Sequence, residues 1–210
     1  ITGIALGNTL EAFFGGWLYR KVKQNNRSTQ LRRSVATLAS VFASSTMGSS
    51  IGTITLFFAG VVPSEKFVYS LLTWWGGDFV GGIVFLPFFL HLVHLRFKYF
   101  FSKPQDAPLL LALGAAIVLV NYSVFVSRVP EGIYWANIFF IYAGILFLGR
   151  FSIHLLLLLT TILSMYFSHL GYSLFEFGSS NLNVLYLQGI TSSLAISIFF
   201  IEAVHRQNVS

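Results

Sequence analysis

Charge and sulfur are both scarce in these 210 residues. Lys, Arg, Asp and Glu make up 10% of the chain, whereas soluble domains average about 25%. So little charge excludes an ordinary water-facing surface. Cysteine is absent, which excludes disulfides and thiolate metal sites and says nothing about compartment. No His and carboxylate set has catalytic spacing, and no glycine loop is built to cradle a phosphate. The GSSIG stretch, Gly48 to Gly52, lies inside an apolar run. A nucleophile elbow needs a strand-to-helix turn there, so no catalytic serine is assigned. No metal ligand set and no cofactor are assigned either. The chain opens without Met or a cleavable signal pattern. Residue 1 already lies in an apolar run, so the chain is expected to begin inside a longer membrane domain.

What is present is apolar. Hydrophobic residues make up 55% of the chain, 23 of the 210 residues are Phe, and the mean hydropathy is +0.75. A soluble core of this length could not hide that much aromatic surface, but a bilayer can. The expected fold is therefore all-α, a polytopic transmembrane helical bundle of about seven spans forming a single domain over residues 1–210. A spanning helix needs roughly 20 apolar residues. Such runs occur at 1–19, 34–60, 69–95, 107–127, 134–149, 151–170 and 183–204. Only Gly149 and Arg150 separate the fifth from the sixth, so 134–170 reads either as a tight helical hairpin or as one broken helix. The fifth run is short and calls for tilt or a locally thinned bilayer.

Basic residues orient the spans. Arg20, Lys21, Lys23, Arg27, Arg32 and Arg33 fall in the first connection, and Arg96, Lys98 and Lys103 in the third. Arg150 lies at the hinge and Arg206 in the tail. With seven spans these eleven share one side, and only Lys66 and Arg128 lie on the other. That places residue 1 near the outer face and the C-terminus in the cytoplasm. The net charge of +6 is thus an orientation signal, and no nucleic-acid partner is expected.

Glycines at four-residue spacing predict close helix packing: Gly3 with Gly7, Gly48 with Gly52, and Gly77 with Gly81. Among these helices lie two acids. Asp78, in WWGGDFVGG, is about nine residues into its run, roughly 13 Å deep at 1.5 Å per residue. An Asp at a helix centre costs roughly 2.5–3.5 kcal/mol to insert, so it should face the protein interior and have a partner. Trp74 and Gly81 share its face, and Pro87 is expected to bend the same helix. Asn8 and Glu11 share a face of the first run, and Gln188 lies in the last. Three uses are open for these groups: a polar core holding the helices in register, a ligand- or proton-responsive pocket, or an ion path. His91 and His94 are three apart, but they lie beside Arg96 and Lys98 and read as interfacial histidines. Glu202 lies near the cytoplasmic exit.

Two stretches carry a family resemblance. Trp74–Gly82 followed by Pro87, and GNTLEAFFGGWLYRK from Gly7 to Lys21, resemble the signature of the type-one membrane-associated sensor domain (MASE class) of bacteria. The closing part, from HLGYSLFEFG to LNVLYLQGITSSLAISIFFIEAVHR, is similar to that family's final spans. The family's opening spans, with a Trp-Pro-Pro-Gly-like stretch, are missing here, and Ala203 follows Glu202 where the family often has Arg. The resemblance implies a sensory input module for a histidine kinase or diguanylate cyclase, not itself an enzyme. It also implies lipid as the surroundings, a partner membrane protein as one route of sensing, and a homodimer formed through the output domain. The rival reading is a proton- or ion-coupled transporter or channel using Asp78 and Glu11. It is disfavoured because no inverted repeat is visible and the acids form no chain across the bilayer.

Overall fold

A computed structural model describes residues 2–23, 30–94, 106–148, 150–174 and 180–209. Arg27, Arg96, Lys98, Lys103, the Gly149 hinge and the Phe175–Gly178 part of the family-like closing stretch lie outside the described residues, as do the side chains of His91, His94, Arg150 and Arg206. Among the described residues, seven α-helices follow one another: α1 (Thr2–Lys23), α2 (Gln30–Phe58), α3 (Phe67–His94), α4 (Ala107–Phe125), α5 (Ala136–Leu148), α6 (Arg150–His169) and α7 (Ser180–Val209). Short 3₁₀ turns, Ser64–Lys66 and Glu131–Trp135, lead into α3 and α5. The described residues are all-helical, as the apolar runs predict.

Among the described residues, six helical segments are long and apolar enough to cross a membrane: Leu31–Phe58, Ser64–Leu90, Ala107–Phe125, Glu131–Leu148, Phe151–His169 and Leu182–Val204. The chain is a multi-pass membrane domain. α1 has the length, at 22 residues, but carries Asn8, Thr9 and Glu11 in its first half and Arg20, Lys21 and Lys23 in its last turns. It is therefore less apolar than the other six. The helices also overrun their apolar stretches, because Arg, Lys and Gln are good helix formers. α1 accordingly continues through Arg20 to Lys23, and α2 begins at Gln30. The 3₁₀ turn before α5 lengthens the short fifth span to 18 residues.

The chain divides into two compact units, residues 1–83 with 199–210, and residues 84–198. In the first unit, α1 and α2 are antiparallel and glycine sets their spacing. Gly3 faces Thr55, Gly7 faces Ile51 and the Gly48 carbonyl, and Gly15 faces Ser44. A methyl group added at Gly7 would lie 3.3 Å from the Gly48 carbonyl oxygen, so the backbones themselves are close to contact. At the basic end of α1, the Lys21 ammonium sits 5.0 Å from the centre of the Trp17 ring, an arrangement suited to an interfacial anchor. The other end of α2 stops at Gly60, whose φ of +71° no β-carbon favours. There Val61 N–H donates to Leu56 and Gly60 N–H to Phe57, closing the helix in a Schellman motif.

In the second unit, α4, α5 and α6 pack together, with α7 contributing Leu187 to their core. Val124, Phe125, Tyr134, Leu174 and Leu187 form that core. Phe125 stacks on Phe167 at 5.7 Å. α6 ends as α2 does, at Gly171 with φ +87°. Tyr172 N–H donates to the Phe167 carbonyl, and the two rings of that pair meet edge to face at 6.4 Å.

The 134–170 stretch is a hairpin. Ser152 Oγ donates to the Gly144 carbonyl at 3.2 Å, and Leu156 packs where a Gly144 side chain would begin. In one continuous helix these partners would be roughly 12 and 18 Å apart along the axis, so the chain must reverse between α5 and α6. α3 runs through Pro87 without a break. Pro87 supplies no N–H to the Ile83 carbonyl, but the apolar residues on both sides keep the segment helical.

Candidate functional site

The Trp-Trp pair opening WWGGDFVGG is used on two sides. The Trp74 ring covers Gly52 of α2. Trp75 Nε1–H donates to Thr46 Oγ1 at 3.1 Å, its ring stacks on Phe79 at 5.4 Å, and Phe42 meets both rings edge-on. Two turns after Trp74, Gly82 admits Val41 of α2. These contacts clamp the start of α3 antiparallel to α2.

Asp78 lies one turn after Trp74 and one turn before Gly82. Both neighbours on that face touch α2, so Asp78 falls between them, level with the Ser45–Ser49 stretch. It is half-buried. From the other side, α1 lays the Glu11 side chain over Gly48, and Glu11 is likewise half-buried. The two carboxyls are close enough to act on each other electrostatically, and Glu11 also interacts with the Ser45 side chain. Three helices therefore bring two acids from widely separated parts of the sequence to a stretch of α2 rich in Ser, Thr and Gly.

α2 offers this site a buried polar stripe. Ser45, Ser49 and Thr53 recur every four residues, and each is only 1% exposed. Ser49 donates to the Ser45 carbonyl at 2.7 Å, whereas the hydroxyls of Ser45 and Thr53 make no hydrogen bond of ordinary geometry. Sequence reading does not single out these two residues. Their four-residue spacing through Ser49 is the available signal, hidden because α2 is rich in Ser and Thr throughout.

The remaining residues that the sequence points to are placed as follows. Asn8 is exposed, although it lies three residues before Glu11 on the same helix. Gln188 is half-buried in α7 and belongs to the second unit. Gly3, Gly7, Gly48 and Gly52 each lie against a neighbouring helix. Gly81 differs: nothing lies within 4 Å of the position its side chain would take, and Gly82 makes the close approach instead. The next residue along turns by 100°, which carries the contact from one glycine to the other. Gly77 is half-buried. Glu202 is buried, at 6% exposed.

A second polar cluster lies wholly within the second unit and is not legible in the sequence. Asn121 of α4 and Asn137 of α5 are fully buried. Asn121 Nδ2–H donates to the Ile117 carbonyl at 2.9 Å and reaches Asn137 Oδ1 at 3.5 Å. Asn137 Nδ2–H donates to the Tyr134 carbonyl at 2.9 Å. The Tyr134 hydroxyl and Ser164 Oγ of α6 are 2.9 Å apart, and Ser164 can donate to Asn121 Oδ1 at 3.0 Å. Thr191 of α7 is within hydrogen-bonding reach of the Tyr134 hydroxyl. This network carries no charged group. Its geometry suits a dry brace joining four helices, in which each interhelical bond contributes about 0.6 kcal/mol.

Among the described residues, no three His, Cys, Asp or Glu side chains converge. The acids of the first unit are the most chemically distinctive feature of these membrane helices. No curated protein and no solved structure matches the chain. A family match does exist, and it extends from residue 2 to residue 208. Covering nearly every residue of a multi-pass helical domain, that match shows that the chain belongs to MASE1, a family of membrane-associated sensor domains.

Proposed function

We propose that the chain is the sensory input module of a bacterial signalling protein and that its output domain is a histidine kinase or a diguanylate cyclase. In this reading Glu11 and Asp78 form the responsive core, and α7 carries the signal to the cytoplasm. The family match supports the sensory role. The observation that carries the site assignment is the convergence of the two acids on the Ser45–Gly48 stretch of α2. The relay is supported by α7, which continues as helix to Val209, beyond the apolar segment ending at Val204.

The orientation follows from charge. Eleven basic residues fall on the side assigned to the cytoplasm and two on the other. That division does not depend on whether α1 crosses the bilayer, because every later connection keeps its side. The inner membrane is the expected location. Dimerisation through the output domain and sensing through a partner membrane protein both belong to this proposal.

The test is output activity of the intact signalling protein carrying Asp78→Asn or Asp78→Ala, at matched membrane levels. Loss or locking of the response supports the assignment. Normal, fully responsive signalling in both variants removes any sensory role for Asp78. The transporter reading would require flux through the purified protein in liposomes.

A further inference from the structure

We infer that the exposed stripe of α1 binds one anionic phospholipid, with Arg20 and Lys21 on its phosphate and Leu6 to Trp17 along an acyl chain. The site shares no residue with the sensory acids and stands apart from that reading.

Leu6, Leu10, Phe13 and Trp17 recur at spacings of four, three and four, and Arg20 and Lys21 follow three and four residues later. At 100° per residue, all six fall within roughly 100° of the helix surface. α1 meets α2 through Gly3, Gly7 and Gly15, and the stripe beside that contact stays open. Leu6 is 59%, Phe13 74% and Trp17 48% exposed, and Arg20 and Lys21 are exposed as well.

An apolar helix face alone calls for any lipid. This one ends in two cations on the same line. The Trp17 ring stacks on Phe14 at 5.9 Å, and the Lys21 ammonium lies 5.0 Å from the Trp17 ring centre. The cation is thus held against a ring that is itself packed. Among the described residues, no acid pairs with Arg20 or Lys21, so both charges await an anion from outside. Gly16 lies between Phe13 and Arg20 on the helix surface, and nothing comes within 4 Å of the position its side chain would take. That notch lets the glycerol part of a lipid approach the backbone.

Length and charge select the occupant. From Leu6 to Trp17 the stripe runs about 16 Å at 1.5 Å per residue. One leaflet supplies roughly 15 Å, half of a hydrocarbon core of about 30 Å. The cations follow about 5 Å further along, at the level of a phosphate. A zwitterionic headgroup would set its own cation against Arg20 and Lys21, whereas an anionic one does not. A second copy of the chain fits poorly, because two α1 helices in one membrane run parallel and would face like charges with like.

The test uses the intact protein in nanodiscs of phosphatidylcholine. A small, equal fraction of the lipid is replaced by brominated phosphatidylglycerol or by brominated phosphatidylcholine, and tryptophan quenching is recorded. The brominated anionic lipid should quench about twofold more strongly, through its enrichment beside the cations. This excess should vanish in Trp17→Phe and fall by more than half in the double variant Arg20→Gln, Lys21→Gln. Lys66→Gln, in the turn leading into α3, should leave it unchanged, with circular dichroism confirming that each variant is folded. The inference is overturned by equal quenching from the two lipids, or by an excess that survives Trp17→Phe or the double variant. An excess that Lys66→Gln lowers equally also overturns it. So does a disulfide forming between two chains of Phe13→Cys, which would put a second copy on the stripe.

Discussion

The Glu11 side chain lies across Gly48, occupying the volume a β-carbon there would need. α1 thus delivers an acid into the bundle only because α2 presents bare backbone at that level. The glycine and the acid form one device, and substituting either changes the other.

Gly48→Ala should therefore push Glu11 aside and strain the α1–α2 contact. Overpacking of this kind costs about 1–3 kcal/mol. Gly81→Ala meets open space and should be neutral or slightly stabilising, since Ala is the better helix former. Thermal denaturation of both variants in lipid, side by side, checks the contrast. Equal losses would mean that the glycine contacts are misplaced.

The absence of native cysteine makes the α5–α6 hairpin directly testable. A β-carbon at Gly144 would lie 4.0 Å from that of Ser152, within the 3.5–4.5 Å range disulfides require. The double variant Gly144→Cys, Ser152→Cys should cross-link on mild oxidation. Peptide mapping by mass spectrometry would detect the bond, and a straight helix through Gly149 could not form it.

The buried network of the second unit should behave as a unit. Asn121→Ala removes partners from both Asn137 and Ser164 and should cost about 1–3 kcal/mol. Tyr134→Phe should cost about 1 kcal/mol and show coupling to Ser164→Ala in a double-mutant cycle. Tyr166→Phe, on the exposed face of α6, should change stability by less than about 0.5 kcal/mol. Additive effects of Tyr134→Phe and Ser164→Ala would argue against a shared hydrogen bond.

Orientation can be checked by labelling. In the otherwise cysteine-free chain, Lys66→Cys should react with a membrane-impermeant thiol reagent from outside intact spheroplasts. Lys21→Cys should react only after the membrane is opened. The opposite pattern would invert the assignment.

The helices are readable from the sequence because a lipid-facing helix must be apolar on most of its surface for about 20 residues. Their ends are less readable. Hydropathy stops at the first charge, whereas the helix does not, as Arg20 to Lys23 illustrate. The α1–α2 glycines are legible because their contacts repeat along one stripe. Gly82 escapes notice because the four-residue spacing in GGDFVGG selects Gly77 with Gly81, and only the partner helix decides which of two adjacent glycines it meets. Asn121, Asn137 and Ser164 are illegible for a similar reason. A lone polar residue in an apolar run shows that it needs a partner without showing which distant helix supplies it.

α7 is one uninterrupted helix from Ser180 to Val209, and a rod of that kind transmits angle as well as displacement. Each residue added beyond Val204 would rotate whatever follows by about 100° and advance it by about 1.5 Å. Seven added residues would bring the rotation back to within about 20° of the start. An attached output should then alternate between active and silent as residues are added one at a time and recover at seven, reading the phase of the screw more than its length.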